Sequence, residues 1–345
     1  MPDDALTRLR RAAREIFGEA LAASDAGAAV RRSVRLEGGR LLFAETEFDL
    51  RLRPPRIYSV ALGKAAWAMA SALDEVLGER LSGGVVSCVP PLFVNSTANL
   101  TPADSEDRTR LADALDARAG DARDERRDTL PEGVSLSKRW RVFAGGHPVP
   151  NEASLAAARA AFGLLRRAEE DARGPCGALV VFLVSGGGSA MLEWPRDESL
   201  TLEDLREANR RLVACGASIN EVNVVRRALS SVKGGGLARR APHAAQVTLV
   251  VSDTNAGDEA SVASGPTFPT PPGADALRTI LSRYKLETLL PARVLDALKR
   301  LGDDDAKSST HDDRSTENVS SDGPSTDHTS RGETPSVGAP RSFYV

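Results

Sequence analysis

The sequence predicts an α/β protein with an open, mostly parallel Rossmann-like sheet and helices on both of its faces. Three segments share one order: a short apolar run rich in β-branched residues, a polar or glycine-containing loop, and then a helix or a longer loop. The apolar runs show no alternation of polar and apolar residues, which is typical of parallel strands buried on both faces. Because such sheets bind ligands beyond the carboxyl ends of their strands, these three loops are the expected ligand site.

The first unit covers residues 57–81. A strand is predicted over 57–62, followed by Gly63-Lys64 and by a helix from Ala65 to about Leu81 with an apolar stripe at helical spacing. The Lys64 ammonium could contact a phosphate or a substrate carboxylate. For such a lysine in isolation, a side chain extending into solvent is the commoner explanation.

The second unit begins with a strand predicted over 178–184. A helix is predicted to begin near Thr201, which Asp204 can cap from three positions on. Between them lies a loop without bulky side chains, so that several backbone N–H groups can point at one anion; a flexible turn is the alternative. The loop residues are Ser185, Gly186, Gly187, Gly188 and Ser189.

The third unit is a strand predicted over 247–251 and a loop that contains two aspartates, Asp253 and Asp258. Their carboxylates could hold Mg²⁺ through oxygens and water, or one of them could act as a general base. A turn in which the aspartate side chain caps its own backbone is the alternative.

Two further candidates lie outside these units. Read as one helix, residues 219–233 place an apolar row beside a polar row at matching spacing. The polar row consists of Asn223, Arg226, Ser230 and Lys233. These groups suit anionic oxygens, and a solvated helix face ended by glycines is an equally open interpretation. His147 precedes a proline in an extended loop, where a histidine is usually only exposed.

Composition excludes several function classes. A net charge of -3 and a pI near 5.9 argue against nucleic-acid binding. No apolar run approaches the roughly 18 residues of a membrane helix, and the charged N-terminus, predicted as an amphipathic helix, lacks a signal-peptide core. Three distant cysteines, Cys88, Cys176 and Cys215, form neither a metal motif nor a disulfide framework, so a cytoplasmic location is expected.

The chain is predicted to consist of a main α/β domain, residues 1–301, with a polar surface insertion at 90–141. Residues 302–331 are predicted to be disordered, because so polar a composition buries too little apolar surface to order the chain. Two nucleotide-binding motifs are absent. A P-loop is excluded because alanine follows Lys64, and a dinucleotide fingerprint because Met191 occupies the place of its third small residue.

Six segments, taken in order, resemble the type 2 glycerate kinase family, whose C-terminal half is the MOFRL domain. No single segment is decisive, but six in the family's order are highly specific. The segments are residues 61–66, 146–150, 184–190, 219–226, 230–235 and 252–267. The resemblance covers roughly residues 1–90 and 142–301, and makes 332–345 the start of a linker toward an absent C-terminal domain.

The resemblance implies phosphoryl transfer from ATP to the 2-hydroxyl of glycerate, with Mg²⁺, to give 2-phosphoglycerate. Lys64 would contact the transferred phosphate or the glycerate carboxylate, and the 185–189 loop would hold phosphates through its N–H groups. His147, Asn223, Arg226 and Lys233 would bind substrate or phosphate oxygens. Asp253 and Asp258 would hold Mg²⁺, with Asp253 also a candidate for activating the hydroxyl.

Two alternatives to an active kinase stay open. The chain could be a non-catalytic or split fragment that needs a partner chain carrying the missing domain, and it could also form homo-oligomers. A hydroxypyruvate reductase is the second alternative, because members of this family have often carried that label. The missing dinucleotide fingerprint counts against hydride transfer.

Overall fold

The described part of the chain begins with two helices and a small antiparallel sheet, of which the sequence predicts only the first helix. The computed structural model describes residues 5–44, 46–89, 136–252, 257–270, 273–301 and 341–344. The first elements are α1 (Ala5–Ala23), α2 (Ala26–Ser33), β1 (Val34–Glu37), β2 (Arg40–Phe43) and β3 (Thr46–Asp49). The predicted amphipathic helix is confirmed as α1, although its apolar side chains, Leu9 and Phe17 among them, remain largely exposed.

Six parallel strands form the central sheet. In chain order they are β4 (Arg56–Leu62), β5 (Leu81–Cys88), β6 (Trp140–Ala144), β7 (Ala178–Ser185), β8 (Ala245–Val251) and β9 (Arg341–Tyr344). Their order across the sheet is β6-β5-β4-β7-β8-β9, and every neighbouring pair is parallel. The predicted open parallel sheet is therefore confirmed.

Helices cover both faces of this sheet. Helix α3 (Ala66–Leu77) packs with α2 on one face, where Ile57 and Ala61 of β4 point. Helix α4 (Glu152–Ala172) packs on the other face, against Val60 and Leu62 of the same strand. Successive residues of β4 thus enter two different cores, which explains why the strand is apolar without alternation.

The short helix α5 (Gly188–Met191) follows β7. The remaining helices form a third cluster beside the sheet. They are α6 (Leu202–Ala214), α7 (Ile219–Leu229), α8 (Ala274–Arg283), α9 (Leu286–Leu289) and a helical segment at 292–301. Helix α6 begins as predicted, with Thr201 and Asp204 capping each other's backbone N–H groups. Within the described ranges, every helix is too short or too polar to traverse a lipid bilayer.

Two predicted helices end earlier than the sequence indicated. Helix α3 stops at Leu77 because Gly78 adopts a positive φ of 51°, and Leu81 already begins β5. Helix α7 stops at Leu229, because Ser230 is extended and pairs with Pro195 across an isolated bridge. The predicted polar row over 219–233 is therefore wrong beyond the end of α7.

The predicted insertion also ends too late. Strand β6 begins at Trp140, whose buried indole donates a hydrogen bond to Asp74 at 3.0 Å, so residues 140–141 belong to the sheet. Residues 90–135 lie outside the described residues, as does the segment 302–331 predicted to be disordered. Of the predicted linker 332–345, residues 341–344 form β9 against β8.

Candidate active site

The order of the strands creates a crevice between β4 and β7. From β4 the chain continues to β5 on one side, and from β7 it continues to β8 on the other side. The loops that follow β4 and β7 consequently diverge at the carboxyl edge of the sheet. In open α/β sheets, such a point of divergence is where ligands bind.

Both loops at this crevice are ones that the sequence singled out, and they are bonded to each other. The Lys64 N–H donates to the Gly186 carbonyl at 2.9 Å, and the Ala65 N–H donates to Ser185 Oγ at 3.1 Å. Gly63 has a φ of 115°, and a Cβ added to it would lie 2.3 Å from Ser185 Oγ. Glycine is therefore required here both by backbone conformation and by the close approach of the second loop.

Lys64 and His147 meet at Gly187. A Cβ added to Gly187 would lie 3.2 Å from Lys64 Cγ and 3.3 Å from the His147 ring. Partial burial and the adjacent Lys64 charge lower the pKa of His147, which keeps the imidazole neutral at neutral pH. In the described part of the chain, the N–H groups of Gly186 and Gly187 have no hydrogen-bond acceptor. The crevice thus combines one ammonium, one neutral imidazole and two backbone donors.

Asn223 reaches this loop through an intermediate serine. Ser264 Oγ donates to Asn223 Oδ1 at 2.8 Å and lies 2.6 Å from Ser189 Oγ. Because the Ser264 proton is committed to the amide oxygen, Ser189 is the donor in the second bond. Asn223 is only 1% exposed, so its amide oxygen helps, through Ser264, to hold residues 185–189 (the glycine loop) in place.

Lys233 is paired inside the protein. It is 1% exposed, and its ammonium forms an ion pair with Glu193, which is 7% exposed. Glu193 Oε1 also accepts hydrogen bonds from Ser230 Oγ at 2.5 Å and from the Trp194 N–H at 2.9 Å. Burial lowers the pKa of Lys233, and the attraction of Glu193 opposes that shift. The structure therefore gives this ammonium a partner within the chain.

Arg226 faces the same region from α7. Its guanidinium donates to Asn209 Oδ1 at 3.0 and 2.5 Å, and burial lowers its pKa while Glu193 raises it. Arg226 and Lys233 line, with Ser189, a small cavity of about 40 Å³. The two cations are thus brought together beside the glycine loop, although Lys233 lies beyond the helix that was predicted to carry both.

The predicted aspartate pair is described only in half. Asp253 lies outside the described residues. Asp258 Oδ1 accepts a hydrogen bond from Ser261 Oγ at 2.7 Å, and its carbonyl accepts one from the Ser261 N–H at 2.9 Å, but its side chain caps no backbone N–H of a described residue, whereas the capped-turn alternative requires such a bond. No group of three or more His, Cys, Asp or Glu residues in the described ranges could hold a metal ion.

Sequence reasoning missed three residues of this region: Glu193, Ser264 and Asn209. Glu193 lies in the sequence among the apolar residues Met191, Leu192 and Trp194. A carboxylate within such an apolar run indicates a buried charge that needs a cation as its partner. Ser264 and Asn209 carry no comparable signal, since one lies in a turn and the other on a polar helix.

The chain is similar in sequence to a family model and to several known proteins. The chain matches a family model described as a domain of unknown function (DUF4147) over residues 12–299. It is 30% identical over 286 residues to the glycerate 2-kinase of Pyrococcus horikoshii, covering 83% of this chain and 53% of that one. It is 36% identical over 248 residues to a putative hydroxypyruvate reductase of Agrobacterium vitis, covering 72% and 51%.

Similarity extends to a solved structure. A crystal structure of a Pyrococcus horikoshii protein matches with a TM-score of 0.62 at 29% identity, covering 85% of this chain and 55% of that one. The chain spans about half the length of the curated relatives it matches.

Proposed function

The chain belongs to the glycerate kinase family, and on this premise we propose that it transfers a phosphoryl group from ATP to the 2-hydroxyl of glycerate, giving 2-phosphoglycerate. The proposal is carried by one observation, the meeting of Lys64, His147 and Gly187 at the divergence of the two central loops. Relatives named glycerate 2-kinase and glycerate kinase support the choice of substrate.

The crevice suits phosphoryl transfer because that reaction depends mainly on positioning and on neutralising negative charge. The Lys64 ammonium is exposed to an incoming ligand, and its backbone is fixed to Gly186. The backbone N–H groups of Gly186 and Gly187 can donate hydrogen bonds to a phosphate oxygen. Because both loops are held by hydrogen bonds, these donors need not reorganise when charge develops on the transferred group.

His147 is assigned to substrate binding. A neutral imidazole can accept a hydrogen bond from a substrate hydroxyl without adding charge. Its low pKa follows from burial first and from Lys64 second. In this arrangement the cation faces phosphate or carboxylate oxygens, and the imidazole faces a hydroxyl.

The remaining predicted site residues take three roles. Arg226 borders the cavity beside Ser189 and is assigned to anion binding. Asn223 and Lys233 are assigned to holding the glycine loop and its surroundings, because each is 1% exposed and bonded within the protein. The expected use of Mg²⁺ rests on the family resemblance, with Asp253 and Asp258 as its proposed ligands.

A coupled assay for ADP release, with ATP, Mg²⁺ and D-glycerate, tests the proposal. Lys64→Ala should lower kcat/KM by about 100-fold or more, because it removes a charged donor from the transferred phosphate. Lys299→Ala, at an exposed position in the helical segment 292–301, is the matched control and should stay near wild type. Equal turnover by the Lys64 variant would remove Lys64 from the mechanism.

Two alternatives stay beside the kinase. The Agrobacterium relative carries the name hydroxypyruvate reductase, and loss of NADH absorbance with hydroxypyruvate would support that activity. The second alternative is a chain that binds its ligands without turning them over unless a partner chain is present. Absence of turnover, with ATP or glycerate still raising the melting temperature, would support the second alternative.

A further inference from the structure

A second cationic cleft lies outside the candidate active site. Its cavity measures about 670 Å³, within the range typical of small-molecule sites. Arg196, Arg239 and Arg240 line it, together with the hydroxyl residues Ser231 and Thr270, a glycine and a proline. None of these seven lining residues is acidic, and none is aromatic.

Neutral partners hold two of the guanidinium groups in place. Arg239 Nη1 donates to the Gly234 carbonyl at 2.6 Å, and the Arg240 guanidinium lies 3.3 Å from the centroid of the Phe162 ring. Among the described residues, neither arginine forms an ion pair with a carboxylate. Their orientation is therefore fixed, while no described carboxylate pairs with their positive charge.

The third arginine closes one side of the cleft. Arg196 Nη2 donates to two backbone carbonyls at the end of α7, at 3.1 and 3.3 Å. Partial burial, and then the adjacent charge of Arg239, lower the pKa of Arg240. Gathering like charges in a partly desolvated cleft is unfavourable, and an anion bound there would relieve it.

We propose that this cleft binds a small phosphorylated ligand that lacks a nucleobase. Planar guanidinium groups match phosphate oxygens through paired hydrogen bonds, which favours a phosphoryl group over a single carboxylate. The hydroxyls of Ser231 and Thr270 offer partners for a polyol. No aromatic side chain among the lining residues offers a base a face on which to stack, so a nucleotide is disfavoured.

The cleft is separate from the crevice between β4 and β7. Arg240 lies over the ring of Phe162. Phe162 is ten residues along α4 from the start of that helix, which lies near the carboxyl edge of the sheet. Ten residues of α-helix span about 15 Å. The two places nevertheless share a support. The Gly234 N–H donates to the Ser264 carbonyl at 3.1 Å, and Ser264 in turn binds Ser189 of the glycine loop.

Titration calorimetry with inorganic pyrophosphate, at constant ionic strength, tests the proposal. Pyrophosphate supplies the phosphoryl groups without a base. Arg239→Gln with Arg240→Gln should weaken binding at least about tenfold, because two charged donors are lost. Arg141→Gln, which removes a guanidinium lying over Phe143 outside the cleft, is the matched control and should bind as wild type does.

A Lys64→Ala variant distinguishes the cleft from the candidate active site, because it should keep the pyrophosphate binding that the double arginine variant loses. Binding lost in Lys64→Ala and kept in the double variant would overturn the proposal, as would failure of the wild type to bind. Should the double variant not fold in a thermal melt, Arg239→Gln alone serves instead, because that side chain is exposed. Unchanged binding by a folded variant would also overturn the proposal.

Discussion

Replacing Lys233 by methionine should destabilise the protein by about 3–5 kcal/mol. Lys233 is 1% exposed and Glu193 is 7% exposed, so removing the ammonium leaves a carboxylate buried without its cation. The remaining partners of Glu193, the Ser230 hydroxyl and the Trp194 N–H, solvate it only in part. Methionine has nearly the volume of lysine, so little of the loss would come from packing.

The double variant separates the charge effect from packing. Adding Glu193→Gln to Lys233→Met removes the stranded charge while keeping an oxygen for Ser230 to bind. In an intact buried pair, desolvation nearly offsets attraction, so removing both charges costs less than removing one. We therefore expect the double variant to be more stable than Lys233→Met by about 2 kcal/mol.

Equilibrium unfolding in urea, followed by circular dichroism, measures both changes. With a slope of about 3 kcal/mol per molar, a loss of 3 kcal/mol lowers the midpoint by about 1 M. Lys299→Met, at an exposed position, controls for the loss of one lysine charge. A Lys233→Met midpoint equal to that of wild type, or a double variant as unstable as the single one, would refute the reasoning.

Three further predictions follow from the site and its surroundings. Gly63→Ala should destabilise the fold by at least about 2 kcal/mol, because φ is 115° and the new Cβ would lie 2.3 Å from Ser185 Oγ; an unchanged melting temperature would contradict this. Lys64→Ala should raise the pKa of His147 in an NMR titration, yet leave it below its ordinary value, because burial is the larger cause of the shift; an unmoved pKa would mean that the two side chains are apart. Burial raises the pKa of the Cys88 thiol to about 12, so it should resist alkylation at mildly alkaline pH until denaturant is added; rapid labelling of the native protein, followed by mass spectrometry, would show otherwise.

Local signals explain what could be predicted from the sequence. The sequence predicts strands β4, β7 and β8 because a parallel strand buried on both faces needs a nearly continuous apolar run. The start of α6 was found because Thr201 and Asp204 satisfy each other's backbone groups within three residues. Such features depend on neighbours in the chain, so the sequence carries them directly.

Predictions from the sequence are wrong where a contact with a distant residue decides the local structure. The apolar spacing continues past the end of α7 to Val232, so it predicts a polar row that reaches Lys233. Ser230 instead leaves the helix because its backbone pairs with Pro195 and its hydroxyl binds Glu193. These partners lie more than thirty residues away, and helical periodicity contains no information about them.

The pairing of β4 with β7 at the candidate active site also depends on a contact between residues that are distant in the sequence. Both strands are mainly apolar, so their composition does not say which strand lies beside which. The decisive feature is the fit between Gly63, which has no side chain, and Ser185, whose hydroxyl accepts the Ala65 N–H. The two loops are about 120 residues apart in the sequence but pack closely against each other. This contact holds Lys64 at the glycine loop. The position of Lys64 therefore depends on the contact between the two loops. Ser185→Ala, which removes the acceptor of the Ala65 N–H, should displace Lys64 as a change at Gly63 would.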